Sequence, residues 1–227
     1  MPAEAGHLRL LLGQISRTVE RPVFVKVGAN DGVTGDPCGE VFLKNPQWTG
    51  ILIEPVPHCV NQLRSIYGDR SRFMIEPVAV GSVRGTAKFY YVSEEAKRVL
   101  PNLPSWYDQL GSFNPRHIVN HDLRLEPFIR VMDVTVEPLQ EILQRHRVTD
   151  VAVLHIDTEG HDLHVLQSVD LSTYTPLAIW VEHKHLSQAD RVEMRTLLES
   201  SDYDVWNAGE DFFAVHREAP QRMHRRG

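Results

Sequence analysis

Apolar residues fall in short runs along the chain, and several of these runs end abruptly in polar turns. Residues 23–27 (VFVKV) are apolar except for one lysine, and they stop at Gly28. This pattern is typical of a buried strand that feeds a loop. Residues 51–53 (ILI) repeat it and stop at Glu54. We therefore expect two buried strands with polar groups at their carboxyl ends.

Similar runs predict strands that alternate with helices as far as residue 200. Further strands are predicted within 73–80 and at 87–92, 129–134, 151–156 and 177–181, and helices at 40–44, 58–67, 138–146, 162–168 and 188–200. Residues 202–205 and 211–215 are expected to form two strands joined by a tight turn. The alternation favours an α/β fold with a mostly parallel sheet, helices on both faces and an antiparallel C-terminal edge strand.

Residues 1–21 are expected to form an N-terminal amphipathic helix. The apolar stretch within them is short and is interrupted by Arg9 and Gln14. A membrane span needs about 20 apolar residues, and a secretory signal needs a longer apolar region than this one. We therefore expect no membrane span.

Residues 93–128 show no sustained periodicity and are rich in Pro, Asn, His and single aromatic residues. We expect them to form an insertion within a single domain that spans residues 1–227. Insertions of this length are commonly lids or binding segments. The side chains of Trp106, Tyr107 and Phe113 would either cover an acceptor molecule or pack within the lid.

The composition and charge narrow the class of protein. With 227 residues, 42% of them hydrophobic, the chain can bury one substantial core. Its 24 Lys+Arg and 30 Asp+Glu give a net charge of -6, which disfavours nucleic acid as a partner. Cys38 and Cys59 form no CxxC motif, so we expect a cytoplasmic protein with free thiols, a chance disulfide being the alternative.

The turn that follows the first strand has the sequence Gly28-Ala29-Asn30-Asp31-Gly32. In a doubly wound sheet the ligand binds near such a turn, where glycines permit close approach of the backbone. The dinucleotide fingerprint GxGxxG is absent, which disfavours a pyrophosphate ligand. Glu54 follows the next strand, where a carboxylate can accept hydrogen bonds from both ribose hydroxyls. The alternative is an ordinary connection with a solvated Glu54.

Four motifs, VFVKVGANDG, ILIEPVP, PVAVGS and LHIDTEGHD, occur in this order over roughly residues 22–215. Together they resemble the FkbM family of methyltransferases that depend on S-adenosylmethionine (SAM). The resemblance implies a class I (Rossmann-like) methyltransferase fold with a seven-stranded sheet. It also implies SAM as the cofactor.

The resemblance implies a set of cofactor-binding residues, and Lys26 departs from the family pattern. The set comprises Gly28, Asn30 and Asp31 beside the methionine moiety, Glu54 on the ribose, Ala79 and Val80 beside the adenine, and Asp157. Many relatives carry an acidic or amide residue at the position of Lys26, where it helps to orient the amino-acid part of the cofactor. A lysine there needs a partner, with Asp157 and Glu159 as nearby candidates, unless its ammonium extends to solvent.

Two polar runs, HIDTEGHD and EHKH, follow neighbouring predicted strands. The ends of adjacent parallel strands lie about 5 Å apart, so the two runs are expected to share one pocket. Asp157, His161 or His183 would then act as a general base that removes the proton of an acceptor hydroxyl.

A divalent cation offers a second interpretation of the same runs. Asp157 and Glu159, together with a histidine, could hold an ion that lowers the pKa of the acceptor hydroxyl. No ligand spacing such as HExxH is present to support this interpretation. We favour the general base.

The sequence therefore predicts a SAM-dependent methyltransferase that methylates a hydroxyl of a small-molecule acceptor, such as a sugar or a secondary metabolite. One alternative is an NAD-dependent oxidoreductase that holds the cofactor ribose with Glu54. Another is a catalytically silent SAM-binding module that docks a partner through residues 93–128. The oligomeric state is left open, and a homodimer is one possibility.

Overall fold

The structure, a computed structural model, describes residues 3–34, 36, 38–68 and 71–224. The strands in this part of the chain are β1 (Val23–Val27), β2 (Thr49–Ile53), β3 (Phe73–Glu76), β4 (Ala79–Val80), β5 (Gly85–Val92), β6 (Ile129–Glu137), β7 (Val153–Ile156), β8 (Ala178–Glu182), β9 (Tyr203–Ala208) and β10 (Asp211–His216). The helices are α1 (Ala3–Thr18), α2 (Gly39–Lys44), α3 (Pro57–Tyr67), α4 (Glu95–Val99), α5 (Pro115–His121), α6 (Leu139–Arg145), α7 (Asp162–Gln167), α8 (Leu171–Tyr174), α9 (Gln188–Ser200) and α10 (Ala219–His224). The alternation that the sequence predicts is therefore confirmed.

The described strands form a central seven-stranded sheet in the order β3-β2-β1-β7-β8-β10-β9. Strand β1 lies between β2 and β7 and is parallel to both, and β8 is parallel to β7. Strand β10 is antiparallel to both β8 and β9. The C-terminal pair thus supplies the expected antiparallel edge, with the antiparallel strand inserted between β8 and β9. This is the mostly parallel seven-stranded α/β sheet that the sequence predicts.

The region predicted to hold one strand, residues 73–80, divides between two sheets. Strand β3 pairs with β2 in the central sheet, whereas β4 joins a smaller sheet of order β4-β6-β5. Pro77 lies between the two strands, and a proline cannot donate a hydrogen bond to a sheet ladder. The apolar run continues through this point, so hydrophobicity does not reveal where the chain changes sheets.

Successive side chains of the central strands enter different cores on the two faces of the sheet. Val25 and Ile51 pack in a core with residues of α6, α7 and α9. Phe24 and Leu52 face the other side, where α1, α2 and α3 cover the sheet. On this side the rings of Phe24 and Phe42 stack with centroids 3.7 Å apart. Because helices cover both faces, the carboxyl edge of the sheet is the place left for polar chemistry.

Residues 93–128 fold over the small sheet as short helices with a core of their own. They contain α4, α5 and two short 3₁₀ helices. The core includes Tyr107 and Ile118 from this segment and Val92 from β5. The two ends of the segment meet, because Val92 pairs with Ile129 across the antiparallel β5 and β6.

Cys38 and Cys59 are buried and carry free thiols, so the disulfide considered as an alternative is not formed. None of the described helices combines the length and apolar character that crossing a bilayer requires.

Candidate active site

A cleft opens at the carboxyl ends of β1, β2 and β7. This is the switch point of the central sheet, because the chain proceeds from β1 toward β2 on one side and from β7 toward β8 on the other. Of the predicted site residues, the cleft is lined by Gly28, Asn30, Glu54, Ala79, Val80, Asp157, Glu159 and His161. Further walls come from residues that the sequence did not single out for the site, namely Phe89, Gln109 and Gly111.

Gly28 allows the loop after β1 to pass directly beside the loop after β7. Its φ of 76° lies in the left-handed region, and a Cβ there would sit 1.7 Å from the carbonyl oxygen of Asp157. The N–H groups of Gly28 and Ala29 both donate to the carbonyl of Ile53, at 3.0 Å each. The glycine is therefore required for the close packing of three loops at this edge.

Glu54 is a buried carboxylate, 3% exposed, at the end of β2. The N–H of Asn30 donates to its Oε2 and the N–H of Val56 donates to its Oε1, both at 2.9 Å. Burial raises the pKa of Glu54 to about 7, although these hydrogen bonds and the charge of Lys26 oppose the rise. Each oxygen retains capacity to accept a second hydrogen bond.

Asn30 and Asp31 differ in how they relate to the cleft. Asn30 lines it and has a left-handed φ of 49°. The carboxylate of Asp31 is occupied within its own loop, where it accepts hydrogen bonds from the N–H groups of Val33 and Thr34 and from the Thr34 hydroxyl. Asp31 thus stabilises the shape of the loop, and it lies outside the described residues that line the cleft.

Lys26 is paired with Asp36 rather than with Asp157 or Glu159, the partners that the sequence suggested. Its Nζ lies 2.7 Å from Oδ2 of Asp36, and the side chains are 6% and 2% exposed. The lysine lies on the face of β1 that carries Phe24 and is 5% exposed, so its ammonium does not extend to solvent. Burial lowers the pKa of Lys26, but the charge and hydrogen bond of Asp36 outweigh burial and raise the pKa.

The loop after β7 is held by Asp162, a fully buried side chain at the start of α7. Its Oδ1 accepts hydrogen bonds from the N–H of Thr158 at 2.8 Å and from the Thr158 hydroxyl at 3.0 Å. Its Oδ2 accepts one from the N–H of Gly160 at 3.0 Å. These bonds fix the turn that carries Asp157 and Glu159.

Asp157 faces the cleft among other carboxylates. Burial, followed by the charges of Glu159 and Asp162, raises its pKa. The pKa of Glu182, at the end of β8, is also raised, first by burial and next by the charge of Asp157. This end of the cleft is therefore acidic and would favour a cationic group.

His161 follows β7 and Glu54 follows β2, so the two residues lie on opposite sides of β1. The ring of His161 contacts Phe113. The two ring centroids are 4.6 Å apart, and Phe113 in turn packs edge-on against Phe89 at 5.1 Å. Burial lowers the pKa of His161 to about 4, and the neighbouring His164 contributes to the fall. The imidazole is therefore neutral at neutral pH and has a lone pair available.

His183 lies outside the described residues that line the cleft. It is buried, and its ring packs against Phe212 with centroids 4.2 Å apart. Because side chains that follow a strand end no longer alternate regularly, the run EHKH did not indicate which histidine turns toward the cleft. The structure turns His185 toward Glu159 instead, at 3.4 Å between Nε2 and Oε2.

Glu159 is surrounded by histidines rather than paired with Asp157. His117 and His121 of α5 and His185 each present a ring nitrogen to it, and the four ligand atoms lie within 4.8 Å of one another. His117 and His121 were not predicted as site residues, although their spacing of four on one helix was a usable signal. Asp157 is outside this group of ligands among the described residues.

The aromatic residues of segment 93–128 divide between the two interpretations given to them. Phe113 lines the cleft. Tyr107 is 3% exposed in the core of the segment. Trp106 is 43% exposed, and its ring centroid lies 5.8 Å from that of His121. One of the three therefore contributes directly to the cleft wall.

A search of curated proteins found no significant match. A fibrillarin pre-rRNA processing protein of Methanococcus jannaschii aligns with a TM-score of 0.44 and 9% identity over 88% of this chain and 68% of that chain. A precorrin-6y C5,15-methyltransferase of Geobacter metallireducens aligns with a TM-score of 0.40 and 10% identity over 91% and 85%.

The family comparison gives the more specific result. The Methyltransferase FkbM domain matches residues 26–205, which contain every residue described above as lining the cleft. A methyltransferase of this fold implies SAM as the methyl donor. The chain belongs to the FkbM methyltransferase family.

Proposed function

We propose that this chain transfers the methyl group of SAM to a hydroxyl of a small-molecule acceptor. One observation carries the proposal: a single cleft holds a buried carboxylate, Glu54, on one side of β1 and a neutral imidazole, His161, on the other. The first suits the ribose of a nucleoside, and the second suits a proton acceptor.

The residues of the cleft fit SAM. Glu54 has acceptor capacity for two ribose hydroxyls beyond its two backbone hydrogen bonds. Ala79 and Val80 offer an apolar wall for the adenine, and Gly28 and Asn30 offer backbone beside the methionine moiety. The acidic surroundings of Asp157 favour the positive sulfonium. The charge of Lys26 is balanced by Asp36, so it does not oppose that cation.

When bound, SAM supplies an electrophilic methyl group on a sulfonium sulfur, which keeps the electron pair of the broken S–C bond. The chain aligns the acceptor oxygen with that methyl and excludes water from the cleft. His161 accepts the hydroxyl proton as the new O–C bond forms and later releases it to solvent. Because its pKa is low, it acts as a weak base that completes the proton balance.

The acceptor side of the cleft supports a small molecule as the substrate. Phe89 and Phe113 form an aromatic wall, and Gln109 adds a polar group. Such a combination suits a ligand with an apolar face and a few hydrogen-bonding groups. His161 also lines the cleft and contacts Phe113.

Binding of S-adenosylhomocysteine, measured by calorimetry, tests the first half of the proposal. We expect one ligand per chain, with affinity weakened by Glu54→Gln and kept in Glu137→Gln, which changes a buried carboxylate of β6 that does not line the cleft. Absence of binding by the unmodified chain would exclude the proposal.

Methyl transfer to an acceptor tests the second half of the proposal. The chain is incubated with isotopically labelled SAM and a panel of hydroxylated small molecules, and the methylated atom is located by NMR. Label on an acceptor oxygen is the expected result. Binding of the cofactor without turnover on any acceptor would favour the silent module, and label on nitrogen or carbon would contradict O-methylation.

A further inference from the structure

Three histidines and one glutamate converge at the edge of the central sheet from three separate parts of the chain. His117 and His121 project from the same face of α5, Glu159 follows β7 and His185 follows β8. All four side chains are between 11% and 20% exposed. The group therefore joins segment 93–128 to the loops of the central sheet.

The distances within the group match those of a small tetrahedral metal site. Oε2 of Glu159 lies 2.7 Å from Nε2 of His117, 3.4 Å from Nε2 of His185 and 3.9 Å from Nε2 of His121. Four bonds of about 2.0–2.1 Å in tetrahedral geometry would hold the ligand atoms about 3.3 Å apart. The observed separations bracket this value, so modest side-chain rotations would complete the coordination.

The backbone around Glu159 is shaped to present its carboxylate. Glu159 has a left-handed φ of 56°, which is uncommon for a residue with a side chain. Gly160 follows with a φ of 97°, and a Cβ there would lie 3.4 Å from the Cβ of His185. The turn is fixed by Asp162, as described above. This strained but well-held geometry brings Glu159 and His185 together.

An orphaned oxygen beside the group also favours a cation. Oε2 of Glu182 is buried without a hydrogen-bond partner among the described residues. Its other oxygen, Oε1, lies 3.7 Å from Nε2 of His185. A positive ion would compensate this acidic surrounding.

We propose that His117, His121, Glu159 and His185 bind one Zn²⁺ ion that fastens segment 93–128 to the central sheet. Imidazole and carboxylate are ligands that Zn²⁺ accepts, and four protein ligands are typical of a closed, structural site rather than of one with an open position for a substrate. The ion therefore orders the cleft wall instead of activating the acceptor. This inference goes beyond the proposed function and does not require SAM.

Zinc titration of the metal-free chain tests the proposal, with a chromogenic chelator as competitor and no SAM present. We expect one Zn²⁺ per chain, and we expect His121→Gln and His185→Gln each to weaken binding at least about 100-fold. The matched control is His146→Gln, which removes a histidine that contacts Glu76 away from the site. It should bind zinc as the unmodified chain does.

Cobalt substitution gives a second readout that does not depend on activity. Co²⁺ in a tetrahedral protein site absorbs visible light strongly, and we expect this absorption in the unmodified chain and in His146→Gln alone. Circular dichroism establishes that each variant is folded. Equal zinc affinity in the unmodified chain and in both ligand variants would overturn the proposal. A loss of zinc affinity in His146→Gln as large as in the ligand variants would overturn it as well.

Discussion

The ammonium of Lys26 lies 2.7 Å from a carboxylate oxygen of Asp36, and both side chains are almost fully buried. Removing one charge leaves the other buried without compensation. We expect Asp36→Asn, which preserves the size of the side chain, to lower the free energy of unfolding by about 3–5 kcal/mol. Urea denaturation measures this change.

The double variant Lys26→Met/Asp36→Asn provides the control for that prediction. We expect it to be more stable than Asp36→Asn, because it removes the unpaired charge as well. If the double variant loses as much stability as Lys26→Met and Asp36→Asn lose together, the two charges are not coupled in the folded state.

The ionisation of Glu54 predicts how cofactor binding depends on pH. A raised pKa of about 7 means that the carboxyl group of the free protein takes up a proton as the pH falls through neutrality. Ribose hydroxyls bind the ionised form, so the affinity for S-adenosylhomocysteine should fall about tenfold from pH 8 to pH 6. Lys26 is the charged group that acts on Glu54, and it stays protonated over this range because its pKa is raised.

Calorimetry at several pH values measures that dependence, and Glu54→Gln isolates its origin. The variant should bind weakly and with a flatter profile than the unmodified chain, because the glutamine does not titrate. A profile for Glu54→Gln as steep as that of the unmodified chain would assign the dependence to another group in the cleft.

Two glycines have the same backbone conformation, so replacing each with alanine separates the cost of backbone strain from the cost of steric overlap. Gly28 and Gly209 have φ values of 76° and 78°, but a Cβ on Gly209 meets no atom within 4 Å. We expect Gly209→Ala to cost about 1 kcal/mol from conformational strain. Gly28→Ala should cost about 3 kcal/mol or more, because its Cβ overlaps the backbone at Asp157. Urea denaturation compares the two, and similar costs would contradict the packing described for Gly28.

Two histidines that follow neighbouring strands are predicted to differ in their effect on catalysis. His161→Asn should lower kcat about 100-fold with little change in S-adenosylhomocysteine affinity, because it removes the proton acceptor. His183→Asn should retain kcat, since its ring packs against Phe212 and lies away from the cleft. Steady-state kinetics on an identified acceptor compares them, with melting temperatures to confirm folding. A larger loss of kcat in His183→Asn than in His161→Asn would contradict the assignment of His161 as the proton acceptor.

Zinc binding should also change the dynamics of segment 93–128. We expect Zn²⁺ to slow amide hydrogen exchange in residues 115–121, which form α5, because the ion ties this helix to Glu159 and His185. Exchange in α9, which contributes no ligand, serves as the internal reference. Equal exchange of α5 with and without zinc would argue against the fastening role.

Much of the fold was predictable because its signals are local. The apolar run 23–27 that stops at Gly28 determines a strand and a turn within ten residues, and the chain repeats such units. The division of residues 73–80 between two sheets was not predictable from the same signal. It depends on which distant strands β3 and β4 pair with, and both halves of the run are apolar.

The candidate site was predictable where a residue directly follows a strand. Glu54 and Asp157 both line the cleft, because each stands at the first position after a central strand. The contact of His117 with Glu159 spans 42 residues and depends on how segment 93–128 folds back. No periodicity encodes such a contact, and Asp36 as the partner of Lys26 was missed for the same reason.

The pairing of Val92 with Ile129 gives residues 93–128 adjacent attachment points on one antiparallel hairpin. A segment that leaves and rejoins a scaffold at neighbouring positions can change in length and sequence without altering the register of the strands that carry it. In this protein the segment also supplies Gln109, Gly111 and Phe113 to the wall of the cleft. The paired strands can therefore carry a replaced segment, and grafting the corresponding segment of another FkbM methyltransferase tests whether it sets the acceptor range.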